Sequence, residues 1–163
     1  MDFNVAKIKL IIGLGNPEKE YADTYHNVGH LIIDCINSYS LLTTHYSLIK
    51  SNVYMNESGG FVKTALRKYK TEPEELLIIQ DDSDIEIGKY KLSFNRGSAG
   101  HKGIESIIKS LKTKDFWRLR IGIAKPPTAG KKIKAESFVL KKISKTNEKI
   151  LNKVFQEIKE IML

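Results

Sequence analysis

Cysteine occurs once in the 163 residues, as Cys35. One thiol cannot close an internal disulfide or supply a cysteine-based zinc site. Cys35 lies inside Leu31-Ile32-Ile33-Asp34-Cys35-Ile36, where it reads as buried helix filler rather than as a nucleophile. No apolar run approaches the roughly 18 residues of a membrane span, and no signal peptide is visible. These absences lead to the expectation of a cytoplasmic protein. The Gly-x-Ser-x-Gly pattern of a nucleophile elbow is missing too, so no serine stands out as an attacking group.

The length fits one domain, residues 1–163, around a single sizeable core. The net charge of +8 is unevenly spread. Glu72 to Glu86 holds seven acidic residues and no Lys or Arg, whereas Lys89 to Lys134 holds thirteen Lys or Arg against Glu105 and Asp115. A basic stripe of this kind marks either a polyanion partner or a solvated, lysine-rich face.

Strands alternating with helices indicate an α/β fold, a mixed twisted sheet flanked by helices on both faces. Lys9 to Leu14 is a short β-branched run closed by Gly13 and Gly15, the mark of a buried strand ending in a tight loop. Val28, Leu31, Ile32, Cys35 and Ile36 recur at helical spacing from Val28 to Ser38. Tyr39 to Thr44 reads as a connection, and His45 to Ser51 as a weak second strand. A helix is expected from Ser58 to Lys70, and Leu76-Leu77-Ile78-Ile79 is the most apolar strand, running into the acidic loop Gln80-Asp81-Asp82-Ser83-Asp84. Lys89 to Phe94 and Trp117 to Ala124 read as strands, Ile104 to Leu111 as a helix, Lys125 to Lys134 as a basic loop, and Ser144 to Ile161 as a last helix burying Ile150, Leu151, Val154, Phe155, Ile158 and Ile161.

Open α/β sheets place their sites beyond the carboxyl ends of the strands. Asn16 follows the first strand there, Asp81 follows the apolar strand, Asn56 precedes a helix, and His26 lies on the loop after Asn16. A histidine with a carboxylate partner is a general base whose tautomer the carboxylate holds, and asparagine amides hold water or donate to a developing oxyanion. With no placed serine, direct attack by water is the favoured chemistry. Plainer readings exist: Asn16 beside Pro17 as a turn residue, Asn56 as a helix cap, and Asp82, Asp84 and Glu86 as solvated loop charges. Asp81 and Asp84 are thin grounds for Mg²⁺. Gly13-Leu14-Gly15 begins like a dinucleotide fingerprint, but Glu18 occupies the third glycine's place. His30 and His45 have no nameable partner, and His101, in a glycine loop, is open between loop packing and phosphate contact.

Six stretches in order resemble the bacterial-type peptidyl-tRNA hydrolase family. They are Ile11-Ile12-Gly13-Leu14-Gly15-Asn16-Pro17; Tyr21 with Thr24-Tyr25-His26-Asn27-Val28-Gly29; Met55-Asn56-Glu57-Ser58-Gly59; Asp81-Asp82-Ser83-Asp84; Gly97-Ser98-Ala99-Gly100-His101-Lys102-Gly103; and Arg118-Leu119-Arg120-Ile121-Gly122-Ile123. The resemblance implies hydrolysis of the ester joining a peptide to tRNA, by a monomer with no metal or organic cofactor. It implies His26 as catalytic base and Asp81 as its partner. Asn16 and Asn56 take the positioning amides, with Tyr21, Met55 and Lys102 on the substrate side. Arg96, His101 and Arg120 fall toward the tRNA.

The chain departs from the family pattern at several points. Lys102 stands where the family usually has Asn, which exchanges an amide that donates and accepts for an ammonium that only donates. Ser93 stands where a basic residue is usual, with Arg96 and Lys91 nearby. The segment from His26 to Asn56 is shorter than usual, as if a strand or hairpin were missing, and the usual C-terminal extension is cut short after the last helix, which implies a more open cleft. A non-catalytic RNA-binding relative and a nucleotide-cofactor enzyme are the alternatives.

Overall fold

The computed structural model describes residues 2–38, 45–125, 136 and 138–162. The expected connection Tyr39 to Thr44 and most of the expected basic loop, 126–134, lie outside the described residues. Among the described residues one five-stranded sheet forms, built from β1 (Leu10–Gly13), β2 (Ser47–Lys50), β3 (Leu76–Glu86), β4 (Tyr90–Phe94) and β5 (Trp117–Ala124). The strand order is β2-β1-β3-β5-β4. All neighbours are parallel except β4, which runs antiparallel beside β5 at the edge. The expected mixed sheet is therefore present.

Side chains alternate across a strand, and here the alternation sorts two cores. Ile11, Leu77, Ile79, Leu119 and Ile121 face one side, packed by α1 (Val28–Asn37) and α4 (Lys145–Met162) through Ile32, Leu151 and Phe155. Leu10, Ile12, Leu76 and Ile78 face the other, covered by α2 (Ser58–Tyr69) and α3 (Lys102–Leu111) through Val62, Ile104 and Ile107. Such two-sided burial is why β1 and the start of β3 read as continuous apolar runs rather than alternating ones.

Three expectations are corrected. The acidic stretch after Ile79 is strand, because β3 continues to Glu86 with a register irregularity between Asp82 and Glu86. Asp82 is accordingly a buried side chain rather than a solvated loop charge. In α4, Ile161 is exposed and Met162 takes the core position, because 162 lies one helical repeat beyond the buried Ile158.

Two glycines bring the sheet and α1 into backbone contact. A Cβ on Gly13 would come within 2.1 Å of the Gly29 carbonyl oxygen, and one on Gly29 within 2.5 Å of both the Leu14 and Ile79 carbonyls. That approach sets the start of α1, and the His26 turn before it, against the end of β1 and the middle of β3. Gly29→Ala is expected to cost about 1–3 kcal/mol, as overpacking does, because backbone rather than a flexible side chain must move. At about 2–4 °C per kcal/mol for a chain of this size, the thermal midpoint should fall by roughly 2–12 °C in a melt followed by circular dichroism.

Candidate active site

β3 carries Asp81 past the apolar part of the sheet into a cleft of about 360 Å³. His26, Asn16, Asn56, Tyr21, Met55, His101 and Lys102 line the same cleft. The residues singled out after three different elements thus meet in one place. His26 Nδ1 lies 2.8 Å from Asp81 Oδ1. His101 Nε2 lies 3.0 Å from that same oxygen. The two rings are tilted against each other with centroids 5.1 Å apart.

The hydrogen-bond pattern assigns the tautomers. His101 caps α3, and its Nδ1 accepts weakly from the Ile104 N–H at 3.4 Å, so its Nε2 carries the proton given to Asp81. His26 donates from Nδ1, which leaves Nε2 with a free lone pair, the arrangement of a general base. Asp81 is only 2 % exposed. Burial pushes its carboxyl up, but His26 and His101 outweigh burial and hold it below the ordinary carboxylate range. Ligand atoms of His26, Asp81 and His101 lie within 4.8 Å of one another, a donor set of metal-binding type. Both ring nitrogens facing the carboxylate are spaced as N–H donors, however, and His101 Nδ1 is occupied by the helix cap. The trio therefore fits a hydrogen-bonded base better than a chelate.

Asn16 is clamped on every side. Its N–H donates to Asn27 Oδ1 at 2.9 Å, and its carbonyl accepts from Asn27 Nδ2 at 2.8 Å. Its own Oδ1 accepts from the Met55 N–H at 2.9 Å. The donor end of the amide, Nδ2, is the end left for the cleft. The His26 turn is held from far along the chain: the His26 N–H donates to the Val139 carbonyl at 2.8 Å, and Thr24 bridges to Lys142. Exposed Leu140 and Tyr54 stand at the cleft mouth, where Tyr54 Oη donates to Glu18.

Other expected site residues fall differently. His101, left open between packing and phosphate contact, is a second donor to Asp81. Arg120 commits its Nε to Asp82 Oδ2 at 2.7 Å. Arg96 is exposed on the loop before α3, outside the cleft lining. Beside Arg120, Arg118 is buried, with Nη1 unpaired among the described residues; burial, then the neighbouring Arg120, pushes its pKa down to about 10. Across the sheet from this pair lie Ser93 and Lys91 of β4, so a basic row crosses two strands with Asp82 beside it. Asn27 and Ser51 escaped the sequence reading, since a buried asparagine or serine in a loop gives no pattern; the only cue was that Asn27 adjoins His26.

Because Asp81 binds a proton less readily in the folded chain than in the unfolded one, it contributes stability above its unfolded pKa of about 3.9, and that contribution is lost as pH falls further. Urea unfolding of wild type beside Asp81→Asn should show the full margin between them from about pH 5 upward, shrinking as pH is lowered through about 4. A margin that stays constant down to pH 2.5 would contradict the assignment.

A family model described as peptidyl-tRNA hydrolase matches residues 10–163. A peptidyl-tRNA hydrolase of Persephonella marina is 37% identical over 172 residues, covering 96% of this chain and 89% of the relative. One of Aquifex aeolicus is 38% identical over 167 residues, covering 92% of this chain and 85% of the relative. The crystal structure of peptidyl-tRNA hydrolase from Acinetobacter baumannii superposes with a TM-score of 0.80 at 27% identity, covering 98% of this chain and 88% of that one. With the match spanning the strands, the cleft and the last helix, the chain belongs to the peptidyl-tRNA hydrolase family.

Proposed function

We propose that this chain hydrolyses the ester between a peptide, or an N-blocked aminoacyl group, and the terminal ribose of tRNA, with His26 as base. The observation that carries this reading is the His26–Asp81 hydrogen bond at 2.8 Å inside a cleft lined by the amides of Asn16 and Asn56. Water attacks the ester carbonyl carbon as His26 Nε2 takes its proton. Asp81 holds the ring and stabilises the imidazolium. The tetrahedral intermediate collapses by breaking the carbon–oxygen bond to ribose, and the imidazolium returns the proton to that ribose oxygen. The products are a peptide carboxylic acid and a free tRNA hydroxyl.

Asn16 Nδ2 is suited to donate to the developing oxyanion, a role worth about 2.7–4 kcal/mol where a single such donor has been deleted. Asn56 positions the water or the ester, Met55 and Tyr21 line the acyl side, and Lys102 brings a positive charge to the cleft in place of an amide. Arg120, Arg96 and the basic residues around them take the tRNA backbone, read by shape and phosphate because the deep groove of A-form RNA hides base edges. A monomer working in the cytoplasm, where the tRNA pool is, agrees with this substrate.

Base catalysis of this type contributes typically 10²–10⁴-fold, so His26→Ala should bring turnover of N-blocked aminoacyl-tRNA to background while leaving tRNA binding within a few-fold of wild type. Undiminished turnover would remove the mechanism; wild-type protein that binds tRNA without cleaving the ester would leave an RNA-binding relative. Binding of deacylated tRNA by the basic flank should weaken as salt rises, with a log–log slope of about −0.7 to −0.9 per phosphate neutralised. Titration of wild type and Arg120→Ala across a salt series should show the slope reduced by about one contact in the variant.

A further inference from the structure

His30 and Ser51 take no part in the chemistry above, yet they close a hydrogen-bond network directly behind it. Ser51 Oγ donates to the Gly15 carbonyl at 3.1 Å and accepts from the Gly15 N–H at 3.2 Å. His30 Nε2 lies 3.2 Å from the same oxygen. A hydroxyl has one proton and two lone pairs. With its proton committed to Gly15 and one lone pair to the Gly15 N–H, Ser51 must accept from His30, which makes His30 the Nε2–H tautomer. Its capacity is then filled, as a buried polar group requires.

The ring also packs flat on the loop. A Cβ on Gly15 would lie 2.8 Å from three atoms of the His30 imidazole. Ser51 is anchored in turn, its N–H donating to the Gly13 carbonyl at 3.0 Å. Two consecutive residues are therefore gripped in the same manner. Ser51 takes both backbone groups of Gly15, and Asn27 takes both backbone groups of Asn16.

We propose that His30 and Ser51 form a positioning pair that fixes the Gly15 backbone and thereby aims the Asn16 amide into the cleft. The pair touches no substrate and acts through Asn16, whose Oδ1 in turn holds the Met55 N–H. Its working form is the neutral ring. Burial pushes the His30 imidazole down to about 4, and the neighbouring Lys50 ammonium pushes the same way, against a hydrogen bond to the Ser51 backbone and Asp34. Asp34, one turn along α1, and Lys50, at the end of β2, are the charged groups facing it, and they pair with each other at 2.7 Å. The inference rests on Asn16 being a substrate-positioning amide, and the test separates the two.

Four variants, His30→Phe, His30→Gln, Ser51→Ala and the double His30→Phe/Ser51→Ala, are compared with wild type and Asn16→Ala. The readouts are kcat and KM on N-blocked aminoacyl-tRNA, and hydrogen exchange of the Met55 amide. Phe keeps an aromatic ring on Gly15 but loses the N–H, whereas Gln restores a donor. His30→Phe and Ser51→Ala should each lower kcat about tenfold with KM within about twofold, and the double should be no worse than the worse single, since all three break one coupled unit. His30→Gln should recover most of the loss, and Met55 exchange should quicken in every variant that loses kcat. Histidine nitrogen shifts at pH 7 should show the Nε2–H tautomer in wild type.

Singles within twofold of wild type in kcat, additive losses, unchanged Met55 exchange, or a Gln variant as slow as Phe would each overturn the pair. If Ser51→Ala does not fold, the contrast between Phe and Gln at position 30 decides alone. Should Asn16→Ala leave kcat unchanged, the catalytic assignment of Asn16 fails, while the Met55 exchange still judges the pair.

Discussion

One carboxylate oxygen, Asp81 Oδ1, takes an N–H from each of two imidazoles, and the rest of the molecule is arranged so that it can. A charge this deeply removed from water is tolerated only with such donors around it. Supplying them demands that three distant segments converge. β3 must run beyond its apolar half, the turn before α1 must press against the sheet ends, and the glycine loop before α3 must bring His101 back over the strand. The close approach of Gly13 and Gly29 meets the second demand, and the capping role of His101 meets the third. His101 thus serves twice, capping α3 through Nδ1 and donating to the carboxylate through Nε2.

Around that oxygen the protein spends side chains on backbone. Ser51 and Asn27 each satisfy the donor and acceptor of one residue in the loop after β1, where no neighbouring strand is available to do so. Loops that carry chemistry are often mobile; here consecutive peptide units are bonded like strand residues although they lie outside the sheet. The result is a loop whose two consecutive residues are held by side-chain hydrogen bonds, the arrangement that the oxyanion role proposed for Asn16 needs.

The architecture was legible where burial imposes a period. The runs at β1 and the start of β3, the spacing of α1 and the full span of β5 followed from apolar pattern, because both sheet faces are covered. It was illegible where partners are remote. Asp82 looked like a loop charge because what allows an acid inside a strand, Arg120, lies 38 positions away. The convergence of Asn16 and Asp81 was expected from where strands end, a topological rule needing no distances, with Asn56 before a helix and His26 on its loop expected to join them. The roles of Asn27, His30 and Ser51 were beyond that rule, since they depend on which lone pair meets which proton.

The tie between the His26 turn and Val139 carries a consequence for biosynthesis. Every group so far given a part in the cleavage, Asn16 through Lys102, has left the ribosome well before the residues that dock onto that turn. A nascent chain at that stage holds the side chains of Asn16, His26, Asn56, Asp81, His101 and Lys102 but not the carbonyl that receives the His26 N–H. The turn that carries His26 is therefore seated by main-chain atoms with no chemistry of their own, and only once residue 139 has been made.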